Sequence, residues 1–150
     1  MKNITLLVVI QDSAVPESLD REVIISFLPS KLQNLVKLYK FSQEYSAGSI
    51  FLSRVQTLCE RRVLKSVIPV IIASEDIYNI DNTGDSLKFD FVSKQLKSKF
   101  PNLISCVSST FKAKKSDFID FNFHKEMPDI NKKMAENIVE IYNHIIQNHT

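Results

Sequence analysis

The residues of this chain best equipped for chemistry fall in one short run, FIDFNFHKE, from Phe118 to Glu126. The alternation predicts a strand over Asp117 to Phe123. Asp120, Asn122 and His124 then share one face, and Phe121 and Phe123 the other. A carboxylate and an amide oxygen two residues apart suit a hard cation such as magnesium, which is commonly held by one or two carboxylates plus water and substrate phosphates. Asp120 and Asn122 are therefore the candidate metal ligands. The plainer reading of the same pattern is an edge strand whose polar side meets water. Asp120 and His124 would also serve as the later members of a hydrolytic triad, which requires nucleophile, base and orienting acid within hydrogen-bond reach. No serine offers itself as the nucleophile.

Other constellations are missing from the sequence. There is no GxGxxG, GxxxxGK[ST] or GxSxG, and a chain with two glycines is poorly supplied for a phosphate-cradling loop. His124, His144 and His149 are not at zinc-ligand spacing with cysteines. Cys59 and Cys106 form no CxxC pattern and read as two reduced, buried thiols. The formal charge of +2 gives no reason to expect nucleic acid as a partner, so any anion site must come from local clustering.

The elements that must position these residues follow from patterning. At 150 residues, 44% hydrophobic and 24% charged, the chain is read as one globular domain, residues 1–150. A domain of that size buries about 70% of its unfolded surface. Ile4 to Ile10 is a short apolar run closed by Gln11-Asp12 without a cleavage site, hence a first buried strand rather than a leader. No run approaches a membrane span, and a cytoplasmic location with no membrane partner is expected. A loop over Gln11 to Ser18 precedes a helix over Leu19 to Phe27, and Pro29 forces a new start.

From Lys31, the residues Leu32, Leu35, Val36, Leu38 and Tyr39 follow helical spacing, as do Ile50, Leu52, Val55, Leu58 and Cys59 after Gly48. Phe27 to Arg54 thus reads as a helical pair with Lys31, Lys37 and Lys40 on its solvated side. Val67 to Ala73 predicts a strand that Pro69 assigns to an edge or a bulge. Glu75 to Leu87 is a loop, Leu87 to Val92 a half-exposed strand, and Asn102 to Ser109 a further strand. The basic turn Lys112 to Lys115 separates that strand from the Asp117 strand. Asp129 caps a last helix lined by Ile130, Met134, Ile138, Ile141 and Ile145. The sum is an α/β (α+β) domain, a mixed sheet of about five strands packed against helices.

The segment DFIDFNFH with its following helix resembles the carboxy-terminal block of SGNH-type esterases, although three residues, rather than two, separate Asp120 from His124. That likeness implies a small esterase using Asp120 and His124. Over most of its length, in order, the chain resembles the amino-terminal half of an Sfp-type 4′-phosphopantetheinyl transferase. The residues that carry the likeness are LPSKLQNLVKLYKFSQEYSAGSIFLSR, Gly84-Asp85-Ser86, FDFVSK at Phe89 to Lys94, CVSS, FIDFN at Phe118 to Asn122, and DINKKMAENI.

This second resemblance implies a phosphopantetheinyl-transferase-like half. Lys31, Lys37, Lys40, Arg54, Ser93 and Lys94 would meet coenzyme A, and Asp120 and Asn122 would meet magnesium. Asn122 stands where the family has a glutamate, Lys94 where it has a histidine, and Asp85-Ser86 where it has Lys-Pro. The family's Trp-x-x-Lys-Glu motif has no counterpart, since the chain has no tryptophan. The implied function is attendance on acyl-carrier-protein modification, in fatty-acid or polyketide biosynthesis, with transferase activity impaired or absent in this chain alone. A half-length relative exposes surface that its other half would cover, so self-association or a partner protein is expected. The remaining alternative is a non-catalytic interaction module that keeps only the scaffold.

Overall fold

The computed structural model describes residues 4–11, 19–40, 48–62, 66–73, 76–78, 86–109, 116–124 and 129–148. In chain order the elements are β1 (Thr5–Ile10), α1 (Arg21–Ser26), α2 (Ser30–Gln33), β2 (Val36–Lys40), α3 (Gly48–Arg62), β3 (Val67–Ala73), β4 (Asp76–Tyr78), β5 (Ser86–Lys88), α4 (Phe89–Lys99), β6 (Ile104–Ser109), β7 (Phe121–His124) and α5 (Ile130–Asn148). Five strands form one sheet in the order β2-β1-β3-β6-β7, and every neighbouring pair is parallel. The antiparallel pairing among the described residues is confined to the separate hairpin β4-β5. The α/β class and a sheet of five strands are as expected from the sequence, but β2 stands in the sheet where the sequence reading had the Leu87–Val92 strand.

Side-chain alternation sorts the core into two layers. Leu6, Val8 and Ile10 of β1, Val36 and Leu38 of β2, and Ile68, Val70 and Ile72 of β3 pack with Ile24, Leu32, Met134, Ile138, Ile141 and Ile145. Val9, Ile71 and Val107 point the other way, onto Phe51, Val55 and Cys59 of α3 and Phe89, Val92 and Leu96 of α4. Helices α1, α2 and α5 thus cover one face, and α3 and α4 the other. That covering of both faces is why the strands read as continuous apolar runs, as TLLVVI does. Helix α1 is fixed at its start, where the Asp20 side chain accepts from the Val23 N–H at 3.1 Å and Arg21 Nε donates to Leu38 O at 2.7 Å.

Several local expectations need correction. Lys31 to Tyr39 is not one helix: α2 ends at Gln33 and β2 begins at Val36. Within it Val36 and Leu38 are buried while Lys37 is exposed, so the period of two prevails over the helical spacing. Helix α3 runs to Arg62, which leaves Arg54 mid-helix rather than at an end. Leu87 to Val92 is split, with β5 ending at Lys88 and α4 starting at Phe89; Phe89, Val92, Ser93 and Leu96 form its buried side.

Strand β3 is central, not an edge. Pro69 is tolerated because β6 joins β3 only from Val70 onward, so β3 is locally an edge at the proline. The stretch Glu75 to Leu87 contains β4 and the start of β5 rather than loop alone. The last strand is shorter than expected: β7 starts at Phe121, after a turn over residues 117–118. Gly84-Asp85, most of the Gln11–Ser18 loop, the Lys112–Lys115 turn and His149 lie outside the described residues.

Candidate functional site

Strand order singles out one place on the sheet. The chain leaves β1 towards β2 on one side, with α1 and α2 on one face, then returns past β1 to β3 with α3 on the other face. The connection that leaves β3 runs on to β6 through α4, on the face opposite α1 and α2, so the connections diverge at the carboxyl ends of β1 and β3; this is a topological switch point, the place where open α/β sheets receive their ligands. Gln11 follows β1 directly at this place: it is 3% exposed, and its N–H donates to Ile72 O at 2.9 Å. Ala73 ends β3 beside it, with Lys40 ending β2 on one side and Ser108 and Ser109 ending β6 on the other. Lys40 is half-buried, and its Nζ donates to Leu19 O. Ser108 is 4% exposed, and among the described residues its hydroxyl has no hydrogen-bond partner.

The lysines read from the sequence are not gathered into one patch. Val36 and Leu38 face the α1/α2/α5 layer, so Lys37 points to the α3/α4 side, as does exposed Arg54 on α3. Lys31 sits on α2 in the opposite layer, at the amino end of β2, whereas Lys40 ends that strand. Three residues of strand rise by about 10 Å, so even Lys37 and Lys40 do not share a level.

Ser93, Lys94 and Asp120 are brought together, in a tight structural arrangement at the amino end of β7. Ser93 is fully buried and donates to Phe118 O at 2.5 Å, so the Ser105 hydroxyl, also 2.5 Å away, must donate to Ser93 Oγ. The Asp120 N–H donates to Ser105 O at 2.8 Å. Asp120 Oδ2 accepts from the Ser105 N–H at 2.8 Å and from Lys97 Nζ at 2.6 Å. Lys94 is exposed and holds its Nζ 5.6 Å from the Phe118 ring centroid. These contacts fasten the β6–β7 connection to α4.

Asn122 and His124 are exposed on the same side of β7 as Asp120. His124, however, ends the strand four residues beyond Asp120, about 13 Å away at the strand rise. The carboxylate cannot orient that imidazole. Among the described residues no group of three or more His, Cys, Asp or Glu side chains is arranged to hold a metal ion.

The two thiols lie in different layers, Cys59 against α3's side of the core and Cys106 against α5's side, so they cannot form a disulfide. Burial, reinforced by the Glu60 charge, pushes Cys59 up to about 12. Burial also pushes Cys106 well up, with the Asp120 charge adding to it. Neither is a poised nucleophile.

Sequence reasoning missed Gln11 and Lys97. The signal for Lys97 was present: once Phe89, Val92, Ser93 and Leu96 are read with helical spacing, Lys97 falls one turn after Ser93, on the side facing Asp120. Gln11 carries the weaker signal of a polar residue that closes an apolar strand.

No protein-family model matches the chain, and no curated protein matches it in sequence. What the architecture defines is a class, the open, doubly wound parallel α/β domain, which hosts many unrelated activities. No helix among the described residues is long and apolar enough to cross a membrane.

Proposed function

We propose that this domain binds a phosphate-bearing small molecule at the carboxyl edge of its sheet, between β1 and β3, and performs no group transfer by itself. Coenzyme A is the candidate ligand supplied by the likeness to phosphopantetheinyl transferases. The observation that supports the reading is the strand order β2-β1-β3-β6-β7 in a wholly parallel sheet, whose switch point lies beside Gln11 and Ala73, with Lys40 ending the neighbouring strand β2. Magnesium, if used, would be brought with the phosphates, because the carboxylate of Asp120 is engaged by Lys97 and the Ser105 N–H at the other end of the sheet. The esterase alternative lacks a geometry in which Asp120 serves His124. The interaction-module alternative draws on the exposed apolar side chains of Val23, Phe27 and Phe91.

Thermal unfolding in the presence of coenzyme A, with and without magnesium, tests this. Binding at a hundredfold excess over Kd adds about 2.7 kcal/mol, a rise of about 5–10 °C for a domain of this size. The rise should persist in Asp120→Asn and shrink in Gln11→Leu. Absence of any shift would sink the proposal, and a shift lost in Asp120→Asn would return the site to the family's metal position.

A further inference from the structure

A second surface lies away from the carboxyl edge. Strand β7 is the last in the sheet and pairs only with β6, so its outer edge presents unpaired backbone groups among the described residues. Beside that edge a pocket of about 410 Å³ opens between β7 and α5, lined by Phe121, Glu136, Glu140, Asn143 and His144 among others. The Phe121 ring forms its apolar wall, with Phe123 stacked 5.5 Å away and the His144 ring edge-on at 5.2 Å. Asn148 lies 2.9 Å from His144 Nε2; with its amide donating, the neutral ring carries its proton on Nδ1. Glu136 and Glu140 are exposed, and neither makes an ion pair with a described residue, the pairs there being Arg21–Glu22 and Lys97–Asp120.

Spacing supplies the rest. Helix α5 follows β7 and runs back along it, as the meeting of His144 with Phe121 requires. Glu136 and Glu140 are one turn apart, about 6 Å along the helix. Alternate side chains of an extended strand are about 6.7 Å apart. A strand added to β7 would therefore present residues i and i+2 in step with the two carboxylates, and the aromatic wall would receive their stems.

We propose that the free edge of β7 and the adjoining flank of α5 dock an extended segment of a partner protein with a basic-x-basic pattern, its strand pairing with β7 and its two cations meeting Glu136 and Glu140. Charge complementarity selects this occupant, since an acidic or neutral segment would leave both carboxylates unpaired. The surface is independent of the carboxyl-edge site, and either stands if the other fails.

The probe is the peptide acetyl-Val-Arg-Val-Arg-Val-amide, titrated calorimetrically into the full chain. Binding should weaken about tenfold or more in the double variant Glu136→Gln/Glu140→Gln, and fall as salt is raised. Both sites are exposed, and an unchanged melting temperature verifies that the variant is folded. The isomer acetyl-Val-Val-Arg-Arg-Val-amide should bind several-fold less tightly, because adjacent arginines point to opposite sides of a strand. No binding, equal binding by the double variant, or equal binding of free arginine amide would overturn the proposal. Self-association abolished by the double variant would overturn it too, making a second copy of the chain the occupant.

Discussion

The two ends of the sheet use their polar residues in opposite ways. At the amino end of β6 and β7, Ser93, Ser105, Lys97 and Asp120 bond one another and the Phe118 carbonyl. At the carboxyl end, the Ser108 hydroxyl is as deeply placed but has no hydrogen-bond partner among the described residues, and the buried Asn137 side chain of α5 has none either. The first set is structural and closed. The second carries unmet hydrogen-bonding capacity beside the edge where ligands enter domains of this class. A residue's chemical promise, read from its type, is thus a poor guide to its use; what matters is whether the fold has already engaged it.

That contrast can be broken experimentally, beginning with the largest effect. Phe89→Ala, in the core next to Ser93, should cost about 3–5 kcal/mol in chemical denaturation, which sets the scale for everything smaller. Ser93→Ala strands the Ser105 hydroxyl in the interior and takes a partner from the half-buried Phe118 carbonyl, and should cost about 1–3 kcal/mol. Ser108→Ala, by contrast, should change stability by less than about 0.5 kcal/mol or raise it, since no described bond is lost. Equal losses at the two serines would erase the distinction between the ends of the sheet.

Asp20→Ala removes the α1 cap, and a loss of about 1 kcal/mol is expected from the same measurement. Smallest is Glu22→Gln, whose ion pair with Arg21 is on the surface; a change above about 1 kcal/mol would contradict its exposure.

The thiols give a pH test. Their folded values are raised above the ordinary range near 9, so this part of the stability is fully present below that value. It is lost as pH climbs from about 9 towards 12, because only the unfolded chain releases the protons. Thiol reagents at pH 8 should label neither cysteine until the protein is denatured.

Much of the fold was legible because burial writes itself into residue type. Strands β1 and β3 and helix α5 are long, strongly patterned and flanked by turn residues, and their ranges follow closely from the sequence. The region from Lys31 to Tyr39 misled because Leu32, Leu35, Val36 and Leu38 satisfy a helical period, while a four-residue helix and a five-residue strand meet inside the window. Phe89 misled for a related reason: LKFDFV alternates locally, but the buried set Phe89, Val92, Ser93 and Leu96 becomes visible only over eleven residues.

The candidate site was harder to read. Asp120 and Ser93 carry the right atoms for chemistry, and nothing in their own segments reveals that Asp120 is engaged by Lys97 of α4 and Ser105 of β6, or Ser93 by Ser105. The switch point at the carboxyl edge is a property of strand order, which no window of sequence contains.

Strand order also has a consequence in time. Strand β1 lies beside β2 and β3, so its first partner is made about thirty residues later and its second begins at Val67. At about 5–20 residues per second, the apolar run TLLVVI waits about 3–12 seconds during synthesis before β3 exists to flank it. Each pairing in the sheet is non-local, the kind of topology that folds slowly and exposes its strands while doing so. The nascent chain, rather than the finished domain, is where this protein is most vulnerable to association.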